Sequence, residues 1–194
     1  MTESRRLAAV LAVATLVAAA LAFFVKDALL PPATHGPGPA AAPAKAQAPA
    51  GPRVVLARDG ARRDLAAKTG KGLILHFWAT WCPPCREEMP ELVKFVKDTK
   101  SDPNVEFLSV SVDEDWKVVD AWLKELRISG LPVALDPRGP TADLYGVTGY
   151  PETFFVTPSG EIVQHLVGPA DWGAPSLRAF AAEFSRASEG QRAN

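Results

Sequence analysis

Cysteine is scarce in this chain, with two among 194 residues. Two thiols cannot staple a disulfide-dense scaffold or supply a four-thiolate zinc site. Excess charge is missing as well: 21 Lys and Arg stand against 22 Asp and Glu, a formal net charge of −1. Nothing electrostatic therefore points to nucleic acid as a partner. Internal repeats are absent, as are flavin and nicotinamide fingerprints, so the expectation is no cofactor and no resident metal. The length fits one ordinary domain or slightly more. What the chain has in plenty is Pro and Ala, both dense before residue 53, so its average composition mixes two unlike pieces.

Residues 7–25 (LAAVLAVATLVAAALAFFV) run without a charge or a proline. At about 1.5 Å per residue, such a run just spans a hydrocarbon core of about 30 Å. Arg5 and Arg6 precede it, while Lys26 and Asp27 cancel after it. The positive-inside bias keeps residues 1–6 in the cytoplasm and exports everything downstream. A transmembrane anchor is the expectation, because the run exceeds the usual apolar region of a cleaved signal peptide, about 7–15 residues. Ala18-Ala19-Ala20 leaves cleavage open as the rival reading, and the residues after Ser4-Arg5-Arg6 do not strengthen a twin-arginine signal. A buried core helix would carry a polar face, which this run lacks. Residues 26–52 are Pro/Ala-rich and nearly free of large apolar side chains, so they read as a semi-extended spacer. His35 lies alone within it and is given no role.

From residue 53 to about 188, short apolar runs alternate with helical periodicity; residues 189–194 read as a tail. Val54-Val55-Leu56 suggests a strand closed by a turn at Asp59-Gly60. Residues 73–78, LILHFW, form an apolar run with one polar interruption, as in a strand covered on both faces. Met89, Leu92, Val93 and Val96 mark a helix by their spacing, with Pro90 inside it expected to kink it. Residues 105–112 alternate as a strand does, and Val118, Val119, Trp122, Leu123 and Leu126 give a second helical stripe. A short strand over 132–135 and a short helix over 141–145 follow. Residues 153–156 and 162–167 flank Thr157-Pro158-Ser159-Gly160, whose proline and glycine fit a type I turn in a hairpin. Leu177, Phe180, Ala181 and Phe184 give a last helix opened by Pro175. The alternation implies an α/β domain with a parallel core and right-handed crossovers.

Both cysteines sit where a buried strand hands over to a helix. One helical turn brings positions i and i+3 onto one face, so Cys82 and Cys85 can close a small disulfide. Cys82 falls at the helix N-terminus, where unpaired N–H groups and the dipole favour thiolate, while Cys85 lies one turn inside and is shielded. That asymmetry makes Cys82 the attacking thiol and Cys85 the resolving one. Pro83 and Pro84 have no backbone N–H. Cys82 thus loses a donor that a non-proline at position 83 would supply, and a reductant is expected. The competing readings are an inert disulfide, unreactive thiols, or a zinc half-site, for which His76 and His165 lack the spacing.

With these residues in view, the segment Trp78-Ala79-Thr80-Trp81-Cys82-Pro83-Pro84-Cys85-Arg86-Glu87-Glu88-Met89-Pro90 resembles the active-site stretch of the membrane-anchored thioredoxin-like reductases TlpA, ResA and DsbE (CcmG). Residues 144–156 (LYGVTGYPETFFV) are similar to a second signature of that group, closest to its DsbE branch. The resemblance covers roughly residues 53–188. It implies a thioredoxin-like fold, a central mixed β-sheet flanked by helices, carried into the periplasm by a single-pass inner-membrane anchor. It implies a thiol-disulfide oxidoreductase that reduces exported client proteins, such as the oxidised Cys-x-x-Cys-His haem sites of apocytochromes c. The periplasm is kept oxidising, so electrons would come from a membrane thiol donor of the DsbD or CcdA type.

Carried over residue by residue, Pro151 matches the family's cis-proline, which with Tyr150 and Trp81 would bind the substrate; an ordinary trans proline is the bland alternative. Glu88 matches an acidic residue that tunes the thiols in the ResA branch, against a plain exposed helix residue. Glu152 matches a glutamate of the DsbE branch, in a substrate or acid–base role or simply at the surface. His76 departs from the pattern: thioredoxin has a buried Asp there and this family often Asn. His76 either relays a proton to or from Cys85 or is a satisfied core histidine. Trp78 is expected in the core. A thiol peroxidase would want Thr where Ala79 stands, a copper-carrying metallochaperone would want wider cysteine spacing, and a tethered non-catalytic adaptor stays open.

Overall fold

A computed structural model of the chain describes residues 46–51, 53–66 and 69–192. The expected cytoplasmic segment 1–6, the apolar run 7–25, residues 26–45 of the spacer and the end of the tail lie outside the described residues. Among the described residues no helix is long and apolar enough to cross a membrane.

Eight strands of the described residues make one mixed sheet. In chain order they are β1 (Ala46–Gln47), β2 (Val54–Leu56), β3 (Arg62–Asp64), β4 (Gly72–Trp78), β5 (Val105–Ser111), β6 (Val133–Leu135), β7 (Glu152–Val156) and β8 (Glu161–Val167). Among the described residues four helices accompany them: α1 (Pro83–Thr99), α2 (Trp116–Glu125), α3 (Pro140–Leu144) and α4 (Pro175–Arg192). The spatial order is β1-β8-β7-β4-β5-β6-β2-β3. β4, β5 and β6 run parallel, joined through α1 and α2, whereas β7 lies antiparallel to β4 and β2 antiparallel to β6. The parallel core is thus three strands wide, flanked by the antiparallel pair β7–β8 on one side and β2–β3 on the other.

β4 is the centre because its apolar run lets it be covered on both sides. Alternation sends Phe77 to Tyr145 and Phe154 on one face, and Trp78 to Trp122 of α2 on the other, ring centroids 4.8 Å apart. α4 docks so closely that a Cβ on Gly72 would stand 2.7 Å from Cζ of Phe184. Asp115 caps α2 by accepting from the Val118 amide at 3.1 Å, and Asp136 accepts from the Thr141 and Ala142 amides at the start of α3. The β7–β8 turn closes with the Gly160 amide donating to the Thr157 carbonyl at 2.9 Å, the expected i to i+3 bond.

Two strands escape the sequence pattern. Arg62–Asp64 is wholly polar yet pairs with β2. Ala46–Gln47, inside the segment composition assigns to the spacer, pairs with β8. Pro90 stands within α1, which continues unbroken as an assigned helix from Pro83 to Thr99, and α4 runs past residue 188 to Arg192.

Candidate active site

β4 ends at Trp78 and α1 begins at Pro83, so a four-residue link carries the first cysteine. Asp113, just beyond β5, holds that link: its Oδ2 accepts from the Thr80 amide at 2.9 Å and its Oδ1 from the Thr80 hydroxyl at 2.7 Å. Cys82 is the N-cap of α1 and is bonded to Cys85 by a disulfide, with Cα atoms 5.3 Å apart. The Cys85 amide donates to the Cys82 sulfur at 3.2 Å. N-cap side chains take their bonds from the second or third helical amide; here the second position is Pro84, which has none. The donor that proline removes therefore belongs to position 84, not to position 83 as the sequence alone suggests. Cys82 is 4% exposed and Cys85 fully buried.

The Tyr150–Pro151 bond is cis, and the Tyr150 carbonyl oxygen lies 3.3 Å from the Cys82 sulfur. Trp81, 65% exposed, meets the Tyr150 ring edge-on at 5.6 Å. Burial and nearby carboxylates push the Tyr150 phenol above its ordinary value. The fold thus gathers Trp81, Cys82, Tyr150 and Pro151 at one spot. Beside it, a shallow groove is lined by Thr80, Val118, Ala121 and Trp122. Another cavity, of about 520 Å³, lies around Leu73 and the β7–β8 turn, at the far end of β4 from the sulfurs.

Beneath the disulfide, three helical positions from Cys85, Glu88 is buried. Its Oε2 accepts from the Ala170 amide at 2.8 Å and from the Trp172 indole N–H at 2.9 Å. Its Oε1 faces Nε2 of His76 at 3.4 Å. His76 is fully buried, with Nδ1 at 2.9 Å from the Thr153 hydroxyl and Trp172 edge-on to its ring. Burial raises the Glu88 carboxyl to about 7, against which its two donors pull only partly, and lowers the His76 imidazole to about 3.

Glu152 is 1% exposed, so of its two sequence readings the surface one is corrected: β7 is the second strand in from the β1 edge and is buried along its whole length. Its carboxylate turns inward to Thr148, Gly149 and His165. Thr153, Trp172, Asp113 and His165 were not singled out for this site by sequence, because each is brought to it from a different element. Among the described residues, no group of three or more His, Cys, Asp or Glu is placed to hold a metal.

A mixed sheet that hands a Cys-x-x-Cys from its central strand to a helix, opposite a cis-proline, defines the thioredoxin-like class. Within it, the chain belongs to the AhpC/TSA family, whose profile matches residues 42–165. It is 39% identical over 105 residues to the thiol-disulfide oxidoreductase ResA of Oceanobacillus iheyensis, covering 54% of each chain. It is 36% identical over 110 residues to ResA of Bacillus subtilis, covering 57% of this chain and 60% of that protein. The sporulation thiol-disulfide oxidoreductase A of Bacillus subtilis is 32% identical over 135 residues, 68% of this chain and 81% of that protein. The match thus spans 54% and 60% of the length of the two ResA relatives. Among solved structures, a Chlorobium tepidum protein described as the thiol:disulfide interchange protein DsbE superposes with TM-score 0.62 at 27% identity, over 73% of this chain and 97% of that one. StoA from Bacillus subtilis superposes with TM-score 0.55 at 27% identity, over 74% of this chain and 97% of that one.

Proposed function

We propose that the chain is an exported thiol-disulfide oxidoreductase that reduces disulfides in client proteins. The observation that carries this reading is the Cys82–Cys85 disulfide at the N-cap of α1, with the Tyr150 carbonyl oxygen 3.3 Å from the Cys82 sulfur. The family and the named relatives support it.

In the reduced protein, the Cys82 thiolate attacks one sulfur of the client disulfide. A Cys82–client bond forms, the client S–S bond breaks, and the departing client sulfur takes a proton. Cys85, ionised in turn, attacks the Cys82 sulfur; the internal disulfide closes and the second client thiol leaves. The client gains two electrons and two protons, and the protein ends oxidised. Recharging needs a dithiol donor, for which we assign a membrane protein of the DsbD or CcdA type. Trp81 and the groove beside Thr80 offer the client chain an apolar bed.

Direction follows from the helix start. A thiolate at Cys82 receives one backbone N–H, from Cys85, where a helix without Pro84 would offer two. A weakly stabilised reduced form makes the pair a reductant. Glu88 and His76 serve Cys85: the carboxyl holds a proton near neutrality and returns or removes it as Cys85 switches between thiol and thiolate. The clients we assign are exported proteins such as apocytochromes c, on the resemblance of residues 78–90 and 144–156 to the ResA and DsbE groups. Residues 7–25 would anchor the chain in the inner membrane, with the catalytic domain in the periplasm.

Reduced protein mixed with insulin tests the activity. Thiol-dependent precipitation of the insulin B chain is expected from the wild type, and none from the Cys82→Ser, Cys85→Ser double variant. Equal behaviour of the two would leave a tethered adaptor as the better description.

A further inference from the structure

Glu152 has no face toward a client. Its Oε1 accepts three hydrogen bonds, from the Thr148 amide at 2.9 Å, the Thr148 hydroxyl at 3.1 Å and the Gly149 amide at 3.2 Å. Its Oε2 shares a bond of 2.7 Å with Nε2 of His165 on the neighbouring strand β8. His165 is itself held, stacked on Phe154 with ring centroids 4.1 Å apart, and its side chain is only 20% exposed. Both oxygens of a buried carboxylate are thus satisfied inside the protein, as burial of a polar group requires.

What these bonds hold is the short segment that enters the cis bond. Thr148 and Gly149 lead directly into Tyr150, whose carbonyl oxygen is 3.3 Å from the Cys82 sulfur. Three donors converging on one oxygen fix the backbone two and one residues before that carbonyl. From there the chain runs through Pro151 back to Glu152 itself, which is locked into β7 opposite Phe77 and Val167. The loop is closed on its own next residue.

We propose that Glu152 is a positioning residue: through Thr148 and Gly149 it fixes the Tyr150 carbonyl against the Cys82 sulfur, with His165 fixing the carboxylate from β8. The proposal rests on the thiol-disulfide reading above and names how the potential of that site is set. A carbonyl oxygen beside a sulfur accepts the S–H of a neutral thiol and repels a thiolate. Held in place, it offsets the Cys85 amide that donates to the same sulfur and keeps the reduced pair less acidic, hence more reducing. Loosening it moves two quantities together: Cys82 ionises at lower pH, and the protein becomes easier to reduce.

The test uses the full chain as the dithiol, in three variants. Glu152→Ala removes the brace, Glu152→Gln keeps an acceptor at Oε1, and His165→Phe keeps the stack on Phe154 but loses the bond to Oε2. The rate of Cys82 alkylation by iodoacetamide is followed against pH, and the disulfide is equilibrated with glutathione. Glu152→Ala should ionise about one pH unit lower and shift the glutathione equilibrium about tenfold toward reduced protein. His165→Phe should move both the same way by less, and Glu152→Gln should stay near wild type. A clamp that is merely structural would lower the urea midpoint and leave both redox readouts where they were, which overturns the proposal. If Glu152→Ala does not fold, His165→Phe decides alone, since an unmoved alkylation profile there rejects the brace. A wild type that reduces no insulin instead removes the thiol-disulfide reading itself, because alkylation and glutathione equilibrium are measured without any client.

Discussion

His76 and Glu88 meet between β4 and α1 with Nε2 and Oε1 3.4 Å apart, and among the described residues neither atom has a hydrogen-bond partner. The remaining bonds constrain who carries the proton. With Glu88 protonated on Oε1, Nε2 of His76 can accept it, while Nδ1–H donates to the Thr153 hydroxyl. With Glu88 ionised, the tautomer reverses and Thr153 donates instead. One proton can thus shuttle in a pocket closed by Trp172 and Phe107, one helical turn from Cys85.

Stability should therefore depend on pH from both sides. Glu88 is pushed up to about 7 from 4.5, so the folded chain keeps a proton that the unfolded chain has lost. Its contribution is whole below about 4.5 and disappears as pH rises through about 7. His76 is held at about 3 against 6.5, so its contribution is present above about 6.5 and is lost as pH falls toward 3. Urea midpoints across that range should trace a dome, with Glu88→Gln flattening the alkaline limb and His76→Asn the acid limb. Unchanged limbs in both variants would mean that neither group titrates as a buried one.

His76→Asn should also alter how fast Cys85 resolves a mixed disulfide as pH is varied, because Asn can hydrogen-bond Glu88 but has no second ring nitrogen through which a proton passes on to Thr153. A resolution profile identical to wild type kills the relay and leaves His76 as core packing.

Cys85→Ser should accumulate a mixed disulfide between Cys82 and a client, visible on non-reducing gels, whereas Cys82→Ser should accumulate almost none. The reverse pattern would exchange the roles of the two sulfurs. Identifying the trapped clients would test the apocytochrome assignment directly.

Pro84→Ala restores the second helical amide at Cys82. A hydrogen bond to a charged group contributes about 1.5–3 kcal/mol, and about 30 mV corresponds to about 1.4 kcal/mol for a two-electron couple. The potential should become less negative by roughly 30–65 mV, read against glutathione, while Pro83→Ala should change it less. Equal shifts from the two variants would contradict the capping geometry.

Trp81→Ala removes an exposed ring that packs edge-on against Tyr150. Client reduction should slow several-fold through KM, with the potential unmoved. A potential that shifts with it would place Trp81 among the groups that set the thiol chemistry.

Much of the layout was legible beforehand because it is written in short range. The spacing of Met89, Leu92 and Val96, the alternation of residues 105–112 and the turn at 157–160 each depend on neighbours a few positions away, and the elements appear where those patterns lie. Arg62–Asp64 and Ala46–Gln47 were not legible. Neither carries an apolar period, and both become strands by pairing with backbone already fixed in β2 and β8. Glu152 reads equally as a substrate or acid–base residue and as a surface glutamate, and the surface reading falls only when β7 is seen buried along its whole length.

By itself the sequence determined which two sulfurs could pair and that they start a helix, since four consecutive residues and their φ restrictions suffice for that. It also settled the strand–helix rhythm of the domain, through apolar periods of two and 3.6. Which carbonyl faces Cys82 and which histidine faces Glu88 were settled by tertiary packing alone. The first joins residues 68 positions apart, the second joins β4 to the helix packed on it, and no local preference of the chain specifies a contact that exists only after the sheet has closed.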